Sequence, residues 1–362
     1  MRSLTSRQRV LTAFEHREPD HVPCWMGASP EFRELGRDFL GLPDDESLSE
    51  YVGDDFRRVH TRYVGPDDRH PTENLTHLDA TSRTPFGIER YGYGYGMPLH
   101  SPLKNAASVA EVDAYPWPDP EWMEVSHIRE EVLKYGRAYA ILGGEWSPFW
   151  HDVIDLLDFD GLIYQMYDNP ELVDAVMAHA ADYYLAVSRR VFEASGDAID
   201  VFFIGNDFGA QTGPMISPKF FRRFILPHLK RLTDLGHEYG KHVLLHCDGS
   251  IRSLIPDLIA IGIDGLQSVQ PLCYGMELGQ LKADFGRQIT FMGGIDTQLL
   301  IEGSAQEARR LTISVLETMM PGGGFIASPS HDYLLPETPV ENVIIMYETI
   351  KQHGAYSRNP LG

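Results

Sequence analysis

Apolar positions along the chain fall into two patterns, one continuous and one periodic. Continuous runs rich in aliphatic and aromatic residues occupy 21–27 (HVPCWMG), 138–144 (AYAILGG), 199–207 (IDVFFIGND), 241–249 (KHVLLHCDG), 262–270 (GIDGLQSVQ), 289–296 (ITFMGGID) and 323–331 (GGFIASPSH). Runs without alternation predict strands buried on both faces, as in a parallel sheet. Between them the sequence is helical, with clear start signals. Asn169-Pro170-Glu171, Ser217-Pro218 and Thr338-Pro339-Val340-Glu341 each set a capping side chain before a proline, and the last also has Glu at the capping-box position. Thr5 with Gln8 makes a similar box near the N-terminus. From residue 138 onward strands and helices alternate in the rhythm of repeated βα units.

The polar residues sit at the ends of the strands. The runs close on Gly143-Gly144-Glu145, Asn206-Asp207, His246-Cys247-Asp248-Gly249, Gln267 and Gln270, Gly293-Gly294 with Asp296, and Ser330-His331-Asp332. An open doubly wound sheet gathers ligands at one crevice, whereas a (β/α)₈ barrel brings every strand end to one mouth. The expected architecture is therefore α/β: a single (β/α)₈ TIM barrel over 1–362 with an elaborated N-terminal region. Residues 28–137 break the rhythm. They are expected to hold the second strand near DDFRRVHTRYVG and, at RYGYGYGMP (90–98), either a hairpin flap or a packed surface loop. YPWPDPEW (115–122) reads as an extended linker into the helix before the strand at 138.

Composition narrows the partners. Thirty-one Lys and Arg against 52 Asp and Glu give a formal charge of −21, which works against docking on nucleic acid or anionic lipid. With 43% hydrophobic residues the chain still has ample material for a packed core. No segment has the apolar length of a membrane span, and none near the start has the form of a signal peptide. Three scattered cysteines, Cys24, Cys247 and Cys273, make no disulfide framework, so a reducing cytoplasm is the expected location.

In LLHCDG, His246 and Asp248 share one face of a strand and Cys247 takes the other. The pair is either half of a metal site, with His331 as third ligand from across the mouth, or a hydrogen-bonded couple that orients substrate without metal. Asp207 is either an ionised base or ligand, or a cap on its own loop. Glu145 has the same two readings, and Gln211 lies near Asp207. Gln267 ends another strand at the mouth. Asp296 contacts substrate or, the safer reading, caps the next helix. Trp25 is a pocket wall or core. Cys247 reads as a buried hydrophobe, Cys273 as a weak ligand candidate.

RQRVLTAFEHREPDHVP, YPWPDP, NDFGAQTGPMISPKFFRRFILP, KHVLLHCDGSIRSLIPDLIAIGIDGLQSVQP, FMGGIDTQ and GGFIASPSHDYLLPETPVEN together resemble the uroporphyrinogen decarboxylase superfamily. Its members are decarboxylases and cobamide-dependent methyltransferases on a (β/α)₈ barrel. The decarboxylase branch follows its first strand with an arginine segment that holds substrate carboxylates. Here that stretch is WMGASPEFRELGR, with Arg33 and Arg37 displaced along the chain. The methyltransferase branch carries zinc on His-x-Cys and a Cys of the last strand. By resemblance His246 takes the His position, and Asp248 and His331 stand where the two thiolates would be. Such a harder set implies a divalent metal, zinc foremost, on His246, Asp248 and His331. Asp207 and His331 would then be catalytic, and Trp25, Glu145, Gln211, Gln267 and Asp296 would contact a small methylated substrate. The cobamide would come on a separate corrinoid protein. The alternatives are a cofactor-free decarboxylase of a carboxylic acid and a non-catalytic binding barrel. Oligomeric state is not legible.

Overall fold

The computed structural model describes residues 3–71, 81–92 and 96–356. Seven parallel strands make one curled sheet of the TIM-barrel kind. They are β1 (Phe56–Arg58), β2 (Ala140–Gly143), β3 (Val201–Gly205), β4 (His242–His246), β5 (Gly265–Val269), β6 (Thr290–Ile295) and β7 (Phe325–Pro329). Each pairs with the next in chain order. Helices fill the crossovers, among them Pro170–Ser195, Leu226–Glu238 and Ala305–Met319, as parallel pairing requires.

The run at 21–27 makes bridges rather than a regular strand. Pro23 has no N–H to donate, which interrupts any ladder there. Its backbone nevertheless meets both edges of the sheet. Trp25 N–H donates to the Ala327 carbonyl (3.1 Å), Ala327 N–H donates to the Pro23 carbonyl (2.9 Å), and Asp55 N–H donates to the Cys24 carbonyl (3.0 Å).

Side-chain parity divides the core in two. Phe56, Ala140, Leu142, Val201, Phe203, Leu244, Met292 and Ile326 form the cluster inside the curl, joined by Trp25. Their neighbours Ile141, Phe202, Ile204, Val243, Leu245, Leu266, Phe291 and Ala327 face the helices. Val10, Ala13 and Phe14 of the helix Ser6–Phe14 complete the inner cluster. Arg7 N–H of that helix donates to Ala138 O, and Phe14 stacks on His242, so the helix covers the end of the sheet where the strands begin. The opposite end, where the strands finish, is left for polar groups.

Among the start signals, the Thr5–Gln8 capping box forms, and Ser217 accepts from Phe220 N–H. Two expectations need correction. Asn169 occupies the cap before Pro170 but its side chain makes no capping bond. The C-terminal helix begins at Val340 with Pro339 in the cap position, so Thr338 lies one residue too early to cap it. In 28–137, strand β1 falls within DDFRRVHTRYVG. Segments Thr81–Arg83, Glu89–Tyr91 and Met97–Pro98 form an antiparallel sheet, the hairpin reading of 90–98, although 93–95 lie outside the described residues. Among the described residues, no helix is long and apolar enough to cross a membrane.

Candidate functional site

Where the strands end, Asp207, His246 and Asp248 come together with one ligand-type atom from each within 4.8 Å of the others. His246 closes β4 on the inner face, so Asp248 returns to that side two residues later. Cys247 turns outward into the helix-facing core, and its sulfur accepts the Phe208 N–H at 3.2 Å. Asp207 follows β3. Its Oδ1 accepts the Asp248 N–H at 2.8 Å and lies 3.4 Å from His246 Nε2. Its loop is held from the far side by His151, whose Nε2 accepts the Asp207 N–H at 3.1 Å.

The imidazole of His246 is oriented from below. Its Nδ1–H donates to Oε1 of Gln267 at 2.6 Å, which directs Nε2 toward Asp207. Asp248 is held as firmly. Its Oδ1 accepts from Gln270 Nε2–H at 3.0 Å and lies 2.6 Å from the Ser268 hydroxyl. Ser268 sits at a bulge of β5 with φ +79°, a strained conformation for a residue other than glycine. The strain turns its hydroxyl toward the site and not along the ladder.

Charges in the cluster are coupled. Burial pulls the His246 pKa down, but the hydrogen bond with Asp207 and the charges of Asp248, Asp332 and Asp207 outweigh it and raise it to about 10. For Asp207, burial would raise the carboxyl, yet the hydrogen bond and charge of His246 and the Asp248 N–H hold it well below the carboxylate range. With no metal bound, the cluster is an imidazolium between carboxylates. The Cys247 thiol is pushed far up, first by burial and then by Asp207 and Asp248, so it stays protonated and inert.

His331 stands at the edge of this cluster and is not one of its three close members. Its Nε2 lies 3.4 Å from Asp248 Oδ2, and its Nδ1 accepts the Tyr333 N–H at 3.1 Å. The expected set was His246, Asp248 and His331; the three groups lying closest together are His246, Asp248 and Asp207. The Asp207 loop is tied to β4 by the Asp248 N–H, while the His331 ring is tied to its own loop by the Tyr333 N–H.

The remaining expected residues are placed as follows. Trp25 packs edge-on against Phe203 inside the curl and lines a cavity of about 700 Å³ beside the mouth. Gln267 is fully buried beneath His246. Glu145 accepts from the Thr61 hydroxyl at 2.9 Å. Gln211 lies exposed on the hairpin after β3, its Oε1 3.4 Å from the Cys273 sulfur. Asp296 caps the helix Thr297–Glu302, accepting from Gln298 and Leu299 N–H.

Sequence reasoning missed Arg58 and His151. Arg58 ends β1 on the same face as Phe56, with its guanidinium over Trp146 (5.1 Å) and Phe203 (5.2 Å). Trp146 in turn lies 5.2 Å from the His246 ring. Strand parity across Phe56-Arg57-Arg58 carries the signal for Arg58, once the register of β1 is known. His151 belongs to a helix after β2, and nothing in its own segment points to Asp207.

As for known proteins, the family model described as uroporphyrinogen decarboxylase (URO-D) matches residues 91–353. A uroporphyrinogen decarboxylase of Aromatoleum aromaticum is 24% identical over 370 residues, covering 95% of each chain. The methylcobamide:CoM methyltransferase MtbA of Methanosarcina acetivorans is 20% identical over 225 residues, 61% of this chain and 60% of that one. In structure, a methyltransferase from Methanosarcina mazei superposes with a TM-score of 0.67 at 20% identity, covering 97% of this chain and 99% of that one. At this identity the likeness speaks for the fold alone.

Proposed function

Because the chain belongs to the uroporphyrinogen decarboxylase (URO-D) family, we propose that it is a corrinoid-dependent methyltransferase, moving a methyl group between a small methylated substrate and a cobamide held by a separate corrinoid protein. The observation that carries this reading is the convergence of Asp207, His246 and Asp248 within 4.8 Å, with Gln267 holding the His246 ring from behind. We read the whole chain as one domain and the Cys24 segment as an eighth stave, since its backbone bonds to both β1 and β7 side by side.

The donor set fits a divalent metal such as zinc. One imidazole nitrogen and two carboxylates suit zinc and its neighbours, and an acceptor such as Gln267 Oε1 on the far nitrogen is the usual support of a ligating histidine. His246 Nε2, Asp207 and Asp248 would hold the ion, and when bound it supplies Lewis acidity to the substrate heteroatom. The chain's own residues do the rest. Ser268 and Gln270 fix the Asp248 carboxylate, and His151 fixes the Asp207 loop, so the cluster is set before substrate arrives. His331, at 3.4 Å from Asp248 and partly open to solvent, would pass a proton between the substrate heteroatom and water.

Metal analysis of protein purified anaerobically tests the first element. Near-stoichiometric divalent metal in the wild type, lost in His246→Ala, is expected; absence of metal from both removes it. An anaerobic spectroscopic assay for cob(I)alamin methylation over a panel of ethers and methylamines tests the reaction.

A second reading is favoured by one observation: a relative matching 95% of the chain is named a uroporphyrinogen decarboxylase. Against a many-carboxylate substrate stands the −21 charge, together with the shortage of free arginines near the first segment. Arg33 donates to the Met26 carbonyl and Ser49 hydroxyl, and Arg37 pairs with Asp45. Carbon dioxide release by metal-free protein from a porphyrinogen or a smaller acid would favour the decarboxylase.

A further inference from the structure

Arg58 stands apart from the other cations around the cavity. Arg57 forms a two-pronged ion pair with Glu46, Arg37 pairs with Asp45, Arg33 donates to Met26 O and Ser49 Oγ, and Lys134 lies over the Tyr135 ring. Arg58 has no carboxylate within ion-pair distance among the described residues, although Asp332 lines the same cavity. Its contacts are aromatic: it lies over Trp146 and Phe203, the floor on which Trp25 also packs. A guanidinium resting over rings keeps its in-plane N–H fork unspent, in the geometry that matches a planar carboxylate. A half-buried cation without a counter-charge is also stabilised when an anion arrives.

The position relates this fork to the cluster. The Arg58 guanidinium carbon is 5.1 Å from the Trp146 centroid, itself 5.2 Å from the His246 centroid, so cation and imidazole are about 10 Å apart at most. Trp146 contacts both, so a carboxylate seated on Arg58 stands within reach of the cluster for a small acid only, and a planar one could lie along the Trp146 ring. A second carboxylate nearer His246 would face Asp207 and Asp248 and be repelled.

We propose that Arg58 anchors a single carboxylate of the substrate, which is therefore a small, planar monocarboxylic acid presenting its reacting group to the Asp207–His246–Asp248 cluster. The substrate class rests on the reading of that cluster as the reaction centre; the anion site does not depend on metal or methyl transfer. Calorimetric titration of the full chain with benzoate and with benzamide, its neutral counterpart, tests it. Saturable benzoate binding is expected, with benzamide at least about tenfold weaker. Arg58→Gln should lose benzoate by at least about tenfold and Arg58→Lys by less, while Arg33→Gln stays within about twofold. Circular dichroism and metal content matching the wild type show that Arg58→Gln is folded with its cluster intact. Absence of benzoate binding to the wild type, equal binding of benzamide, unchanged binding by a folded Arg58→Gln, or loss confined to Arg33→Gln would each overturn the assignment. Because the titration reads neither metal nor cobamide, a failed methylation assay leaves its outcome standing.

Discussion

The Nδ1 of His246 lies 2.6 Å from Oε1 of Gln267, a fully buried side chain on the neighbouring strand. The bond settles which imidazole nitrogen faces the cluster, because the N–H must be on Nδ1 to donate. Parallel pairing puts the two residues directly opposite each other, His246 against Gln267. Gln267→Leu should therefore weaken divalent-metal affinity by about 10- to 100-fold while His246 remains in the chain. Metal titration with a competing chelator checks this, and wild-type affinity in a folded Gln267→Leu would show that the pair does not support a metal.

Trp146 depends on a missing side chain. A Cβ on Gly205 would lie 1.9 Å from its ring, so Gly205→Ala must push the indole off its seat beside His246 and Arg58. A stability loss of about 1–3 kcal/mol is expected, with an altered tryptophan emission spectrum. Chemical denaturation followed by fluorescence reads both.

Cys247 lies between two members of the cluster region yet points away from them. Cys247→Ala should leave metal content unchanged, in contrast to Asp248→Ala, which should lose it. The variant leaves the Phe208 N–H without its acceptor at 3.2 Å, at a cost of about 1–3 kcal/mol. Loss of metal from a folded Cys247→Ala would make the thiol a ligand after all.

Asp54 predicts a pH dependence of stability. Burial raises its pKa to about 7, against the opposing charge of Arg57. An unfolded chain releases that proton near the ordinary value of 3.8, so between about pH 4 and 7 the folded state binds more protons than the unfolded one. Stability from this group is present at low pH and lost as pH rises through that window, by at most roughly 1.4 kcal/mol per unit. Asp54→Asn keeps the acceptor for Phe56 N–H and removes the titration. Its stability relative to the wild type should climb from pH 5 to 7 and level off near 8. A flat difference across that range would mean Asp54 is ionised in the fold.

The strands and the end at which chemistry collects were legible because both are local. A continuous apolar run with a polar last residue marks a strand buried on both faces and the end it presents to solvent, and six runs from 138 onward contain strands β2 to β7. The parity of His246, Cys247 and Asp248 was legible for the same reason. The N-terminal part was harder. β1 is three residues long, and the Cys24 segment carries a proline that leaves only bridges, so neither supplies a pattern long enough to fix register. Without the register, Arg58 cannot be told from Arg57, and one of them lies over Trp146 while the other pairs with Glu46.

By itself the sequence determined the repeating βα plan, the polar strand ends, the family and the membership of His246 and Asp248 in one site. Tertiary structure alone decided who their neighbours are. Asp207 reaches Asp248 across 41 positions and Gln267 reaches His246 across 21, because the curl of a parallel sheet sets adjacent strand ends side by side whatever lies between them in the chain. It also put His331 beside Asp248 and outside the three-residue cluster, since loop length and direction place a side chain after its strand ends, and neither is encoded in periodicity.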